Sequence, residues 1–274
     1  MNGNAMQSEF WNGPVGELWA GRQDVVDNTL RKIGEALMEF AAPAPGMRIL
    51  DIGCGAGTST LALAAAAAPG SAVGLDVSAP MIAAAKARTA PANASFILAD
   101  AASHRFESEF DLVYSRFGVM FFSDPAAAFA NIRAALKPGG RLAFVCWRAY
   151  EENQWARSVF DAALDLLPPQ EPTDPLAPGP FALADRRRLK TILARAGFQD
   201  VRVTALDTVM MLGKTAQDAA HEVLQLGPLS RAARELDDAV RAKIRERVRP
   251  VLESFKTQAG ITPAAACWLV GARG

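Results

Sequence analysis

Histidine is scarce in this chain, with two residues in 274, and cysteine is limited to Cys54, Cys146 and Cys267. An odd number of widely separated cysteines supplies neither the paired spacing of a zinc site nor a disulfide framework, so a metal-free protein of a reducing compartment, the cytoplasm, is expected. Net charge is also missing, because 29 basic residues balance 29 acidic ones. A neutral chain lacks the general attraction to phosphate backbones or anionic lipid that nucleic-acid and membrane-surface binders show. Two local basic groups, Arg186-Arg187-Arg188 and the run from Arg241 to Arg249, read as solvated helix faces.

Long apolar runs are absent as well. The most alanine-rich stretch, Leu61 to Ala68, stops at Pro69-Gly70 and is far shorter than a bilayer span. Met1 to Glu9 has neither a basic start nor an apolar core, so it does not read as a secretory signal. What the chain does have is apolar bulk: half of its residues are hydrophobic and 21% are charged, enough for a buried sheet under helices with a solvated exterior.

That bulk is ordered as alternating strand and helix signals. Met47–Ile52 reads as a strand, followed by a glycine turn and a helix over Thr58–Ala68. Ser71–Leu75 reads as a second strand ending at Asp76, and Ser78-Ala79-Pro80 starts a helix through Thr89. Strands at Ser95–Leu98, Phe110–Tyr114 and Arg141–Trp147 follow, with a helix over Pro125–Leu136 and a turn at Lys137-Pro138-Gly139-Gly140. Alternation at this spacing predicts an α/β fold with a doubly wound, largely parallel sheet. We read residues 1–274 as one domain, divided into an N-terminal helical segment (1–42), a cofactor-binding core (43–148) and an insertion (149–184). The insertion carries the run from Pro168 to Pro175. A helix from Asp185 to Ala196 and a strand from Val201 to Asp207 come next; a helical lid (213–260) then precedes a last strand, Ala264–Ala272.

The chemical signal sits in Asp51-Ile52-Gly53-Cys54-Gly55-Ala56-Gly57. Glycines at a strand-to-helix turn let a ligand approach backbone amides without a Cβ in the way. Asp76 lies at the next strand end, about 20 residues beyond the last glycine, where a carboxylate accepts hydrogen bonds from both hydroxyls of a ribose. An adenosine-containing cofactor follows. NAD and S-adenosylmethionine both satisfy the pattern, and an NAD-dependent oxidoreductase or a non-catalytic cofactor-binding module are the competing readings. Asp51 discriminates: dinucleotide strands are usually apolar there, whereas a carboxylate suits the ammonium of a methionine end. Thr58 also stands where the dinucleotide fingerprint wants a small residue for helix packing.

With these motifs the chain resembles the class I S-adenosylmethionine-dependent methyltransferases, most of all the small-molecule branch with the ubiquinone and menaquinone biosynthesis methyltransferases. Ala99-Asp100-Ala101, the Asp111–Ser115 strand and Leu136-Lys137-Pro138-Gly139-Gly140 extend the resemblance. It implies a Rossmann-like, seven-stranded sheet with an antiparallel last strand. It further implies that Asp76 holds the ribose, Val77 and Met81 pack on the adenine, and Asp100 with the Ala101 backbone reads the adenine edge. By the same resemblance Ser115 and Arg116 border the methyl group. Trp11, near Phe10 and Trp19, is a candidate to close over the cofactor cation.

Methyl transfer from a sulfonium is an in-line displacement that requires placement rather than a nucleophilic residue. Arg116 and, in the lid, His221 or its neighbour Glu222 are the substrate-side candidates, while His104 reads as a surface residue. The apolar run Phe117–Phe122 is a candidate wall for a small, apolar or aromatic acceptor. A small-molecule acceptor is the expected partner, with no nucleic acid, membrane or metal, and the sequence leaves the oligomeric state open.

Overall fold

The computed structural model describes residues 4–170, 174 and 176–274. Most of the proline-rich run between Glu171 and Pro175, and the first three residues, lie outside them. Three helices come first: α1 (Asn4–Asn12), α2 (Pro14–Gly21) and α3 (Gln23–Ala41). In α3, Val26, Leu30, Ile33, Leu37 and Ala41 recur every three or four residues and are buried, so one helical face docks on the sheet.

The core alternates β1 (Arg48–Ile52), α4 (Thr58–Ala67), β2 (Ser71–Asp76), α5 (Ala79–Ala87), β3 (Ala94–Leu98), β4 (Phe110–Arg116), α6 (Pro125–Ala134) and β5 (Leu136–Trp147). Next come α7 (Gln154–Ala163), α8 (Arg186–Arg195) and β6 (Gln199–Val209), then α9 (Ala216–Glu222), α10 (Pro228–Ala232) and α11 (Asp238–Glu253). A short hairpin, β7 (Lys256–Thr257) and β8 (Gly260–Ile261), leads into β9 (Ala264–Arg273).

Seven strands form one sheet in the order β3-β2-β1-β4-β5-β9-β6. β1 pairs in parallel with both β2 and β4, and its Ile49–Ile52 stretch is buried, the mark of a strand covered on both faces. The strand order reverses at β1, and a crevice opens there beyond the carboxyl ends of β1 and β4, the place where open α/β sheets bind ligands. β9 runs antiparallel between β5 and β6, from Arg141↔Arg273 on one side to Val209↔Ala264 on the other. The Rossmann-like, seven-stranded architecture with an antiparallel last strand is therefore present.

Two local expectations need correction. Lys137-Pro138-Gly139-Gly140 is not a turn outside the sheet: β5 already begins at Leu136, which pairs with Phe110. A register shift between Phe110 and Leu112 accommodates the proline and glycines, with Gly139 at φ +80°. The 213–260 segment is not helical to its end either. Gly260, at φ +130°, sits so close to the Gly213 carbonyl that a Cβ would stand 2.5 Å from it. Only glycine fits, and the hairpin it permits joins the two ends of the segment through a Gly213↔Ile261 bridge.

Candidate active site

The turn after β1 turns on three glycines in the left-handed region, Gly53 at φ +67°, Gly55 at φ +55° and Gly57 at φ +87°. Their surroundings differ. A Cβ on Gly53 would lie 2.5 Å from the Gly118 Cα, and one on Gly57 would lie 2.7 Å from the Phe96 ring. Gly55 alone faces open space, with nothing within 4 Å, and it lines the large cavity at the sheet's carboxyl edge. Its backbone is the part of the turn a ligand can reach.

Asp51 is fully buried beneath that turn. One carboxylate oxygen accepts the hydroxyls of Ser59 at 2.6 Å and Thr60 at 2.7 Å, both from the first turn of α4. The other oxygen, Oδ1, is buried without a partner. Burial pushes the Asp51 carboxyl up to about 6, against the pull of Ser59, Thr60 and the nearby Arg116 guanidinium. A buried carboxylate with an unused oxygen has acceptor capacity left for an ammonium group above it.

Asp76, at the end of β2, accepts the Gly55 amide at 2.8 Å through one oxygen and the Ser78 amide at 2.9 Å through the other. Burial raises its carboxyl and the two backbone amides oppose that rise. Each oxygen keeps further acceptor capacity toward the cavity, which suits two vicinal hydroxyls. Val77, Met81, Asp100 and Ala101 line the same end of the cavity.

Helix α1 straps this end. The Asn4 amide donates to both oxygens of Asp100 at 2.8 Å, Asn12 donates to the Val77 carbonyl at 2.9 Å, and Ser78 donates to the Trp11 carbonyl at 2.6 Å. Trp11 itself lines the cavity and meets Trp19 and Phe121 edge-on at 5.5 and 5.6 Å. Sequence reasoning named Trp11 but missed Asn4 and Asn12, whose partners lie 65 to 119 residues away and leave no local signal.

At the end of β4 the candidates divide. Ser115 is fully buried; it donates to the Ile52 carbonyl at 2.7 Å and accepts the Gly118 amide at 3.1 Å. It holds β4 to β1 and does not line the cavity. Arg116 does, pairing with Asp27 of α3 at 3.0 Å, and Asp27 also accepts the Thr58 hydroxyl at the start of α4. His221 sits on the exposed face of α9, away from the cavity, because the helical period turns Ala219, Ala220, Val223 and Leu224 inward. Its neighbour Glu222 lines the cavity and forms an ion pair with Arg22 at 2.5 Å. His104 packs edge-on against Phe106 and takes no part. No cluster of metal ligands occurs among the described residues.

Beyond Arg116 the cavity widens into an aromatic compartment. Phe117, at φ +65°, stacks on Trp147 with ring centroids 4.2 Å apart, and Trp147 meets Trp155 at 4.8 Å. A non-glycine residue held in the left-handed region costs of the order of 1 kcal/mol, and such strain gathers at functional sites. Phe181 continues the wall, stacked on Trp155 at 6.4 Å. Glu222 to Pro228, with Ser230, Arg231, Arg234 and Arg241, also line it. The whole cavity is about 1670 Å³, larger than the range of about 300–1,000 Å³ that one small ligand fills.

At the carboxyl edge of a Rossmann-like sheet, the open Gly55 with Asp76 beside it and the aromatic compartment thus share one cavity. Residues 49–140, about a third of the chain, match the family described as "Methyltransferase domain". That stretch is similar to the family, and the chain as a whole shares its fold with the solved structures it resembles.

Two relatives and one structure mark the range of likeness. Nocamycin O-methyltransferase from Saccharothrix syringae is 32% identical over 117 residues, 41% of this chain and 42% of that protein. The ubiquinone/menaquinone biosynthesis C-methyltransferase UbiE of Shewanella frigidimarina is 27% identical over 182 residues, 61% of this chain and 72% of that protein. Among solved structures, a phosphoethanolamine N-methyltransferase 2 of Haemonchus contortus matches 88% of this chain and 52% of its own, with a TM-score of 0.54 and 19% identity. The first three curated relatives are matched over 42%, 53% and 46% of their lengths, so the chain spans about half of each. Among the described residues no helix is long and apolar enough to cross a membrane.

Proposed function

We propose that this protein is an S-adenosylmethionine-dependent methyltransferase acting on a small, apolar or aromatic acceptor by in-line displacement. One observation carries the reading: the open face of Gly55, its amide held by Asp76, gives onto the same cavity as the aromatic wall of Phe117, Trp147 and Trp155. A bifunctional cavity of this kind holds two partners side by side. Relatives named for O- and C-methylation of small molecules support it.

The residues fit the cofactor. Asp51 faces its ammonium, Asp76 its ribose, and Val77, Met81, Asp100 and Ala101 its adenine, under the α1 strap. When bound, the cofactor supplies an electrophilic methyl group on a good, neutral leaving group. The chain supplies placement. Asp27 fixes the Arg116 guanidinium beside the turn, and Phe117 and Trp147 hold an apolar acceptor face and exclude water. An acceptor already present as a phenolate-like anion needs no base, so the exposed position of His221 is compatible with turnover.

Isothermal titration with S-adenosylhomocysteine is expected to show saturable binding, and labelled methyl groups are expected to enter a compound of a metabolite extract. Absence of heat and of any thermal shift removes the reading. Binding without transfer leaves the non-catalytic module.

A further inference from the structure

The cavity's charged groups are unevenly matched. Among its acids, Asp27 and Glu222 are paired with Arg116 and Arg22, Asp76 and Asp100 are held by amides at the cofactor end, and Asp161 pairs with Arg157. Glu9 and Glu151 are exposed at the rim. The lid, by contrast, contributes Arg231, Arg234 and Arg241 to the cavity lining, and none has a carboxylate partner among the described residues. Arg241 is half-buried, its guanidinium donating only to the carbonyls of Ala233 at 2.8 Å and Leu224 at 3.1 Å. Arg234 lies over the Phe10 ring, 5.3 Å from its centroid. Neutral carbonyls and a ring face orient these cations without cancelling their charge.

This cationic roof adjoins the aromatic wall. Gly227, at φ +93°, precedes α10 and lies so close to Trp155 that a Cβ would stand 2.9 Å from the indole. Arg231 follows on α10, which packs on α7, the helix of Trp155. Through these contacts the lid's arginines and the aromatic wall share one cavity.

We propose that the acceptor is a planar aromatic carboxylate, its rings against Trp147, Trp155 and Phe181 and its carboxylate anchored by Arg231, Arg234 and Arg241. The inference rests on the methyltransferase reading and adds the acceptor's class to it. Planar guanidinium groups match a carboxylate in a bidentate manner, and the half-buried position of Arg241 protects part of that attraction from salt.

The test is isothermal titration of the protein saturated with S-adenosylhomocysteine, using 2-naphthoate and its uncharged counterpart 2-naphthamide. The acid is expected to bind about tenfold tighter than the amide, the usual worth of a charge-assisted contact. That preference is expected to shrink severalfold in the R231Q/R234Q double variant, which leaves Arg241 and its carbonyl contacts in place and still binds S-adenosylhomocysteine. Equal affinities for acid and amide, an undiminished preference in the variant, or no binding of either naphthalene overturns the proposal. Failure of S-adenosylhomocysteine itself to bind instead removes the methyltransferase reading beneath it.

Discussion

Thr60 donates its hydroxyl to the buried carboxylate of Asp51 at 2.7 Å, on the same oxygen that Ser59 uses, and the second oxygen remains unpartnered. The first turn of α4 thus fixes Asp51 without satisfying it. With its carboxyl pushed up to about 6 from an ordinary 3.8, the folded state binds a proton that the unfolded chain has released. Stability from this group is therefore full below about pH 4 and falls as pH rises toward about 6, by on the order of 3 kcal/mol. Asp51→Asn removes that dependence. In urea titrations the variant is expected to gain on the parent between pH 4.5 and pH 7, and a constant difference contradicts the assignment.

The same carboxyl makes cofactor binding proton-linked. An ammonium placed at Asp51 lowers its pKa, so S-adenosylhomocysteine is expected to bind more tightly as pH rises through about 6 and to release protons near pH 5.5. Calorimetry in two buffers of different ionisation enthalpy reads this directly. Identical heats in both place the ammonium elsewhere.

Glycine substitutions should separate folding from binding within one turn. Gly55→Ala meets only a left-handed φ of +55°, so a loss of about 1 kcal/mol is expected while ligand access to the backbone is blocked. Gly57→Ala adds a clash 2.7 Å from the Phe96 ring and 3.1 Å from the Ala85 Cβ, and a larger fall in Tm is expected. A Gly55→Ala protein that still binds S-adenosylhomocysteine normally rules out approach at this backbone.

Arg116 is the cation of the cavity nearest Asp51, whose carboxyl it lowers. A methionine end is a zwitterion, and Arg116 is expected to meet its carboxylate. Arg116→Gln should weaken S-adenosylhomocysteine by about tenfold, in the range of a lost charge-assisted contact. 5′-Methylthioadenosine, which lacks the amino-acid end, should bind unchanged. Equal losses for both ligands would reduce Arg116 to a structural partner of Asp27.

Ser78 caps α5 and anchors the strap through the Trp11 carbonyl. Ser78→Ala is expected to cost about 1 kcal/mol as a lost cap. Stopped-flow release of S-adenosylhomocysteine should quicken, because α1 is freed near its C-terminal end. An unchanged off-rate shows that α1 does not cover the ligand.

The alternation of strands and helices, the turn after Asp51 and the start of α5 at Ser78 were legible because each follows from neighbouring residues: apolar period, glycine backbone freedom and a serine ahead of proline. The candidates at the end of β4 were legible only as positions. Ser115 and Arg116 are adjacent in sequence, yet one is consumed by the Ile52 carbonyl and the other reaches the cavity. His221 and Glu222 part in the same way on α9.

The sequence by itself determined the sheet class and the acid and glycine positions at the ends of β1 and β2, since these depend on local chemistry and spacing. Only the tertiary structure decided which side chains share the cavity. Trp147, Trp155 and Phe181 come from a strand, a helix and a loop, and the lid arginines lie 50 or more residues further on. Their juxtaposition depends on the glycine contacts at Gly227 and Gly260, where a missing Cβ lets distant backbones and rings touch.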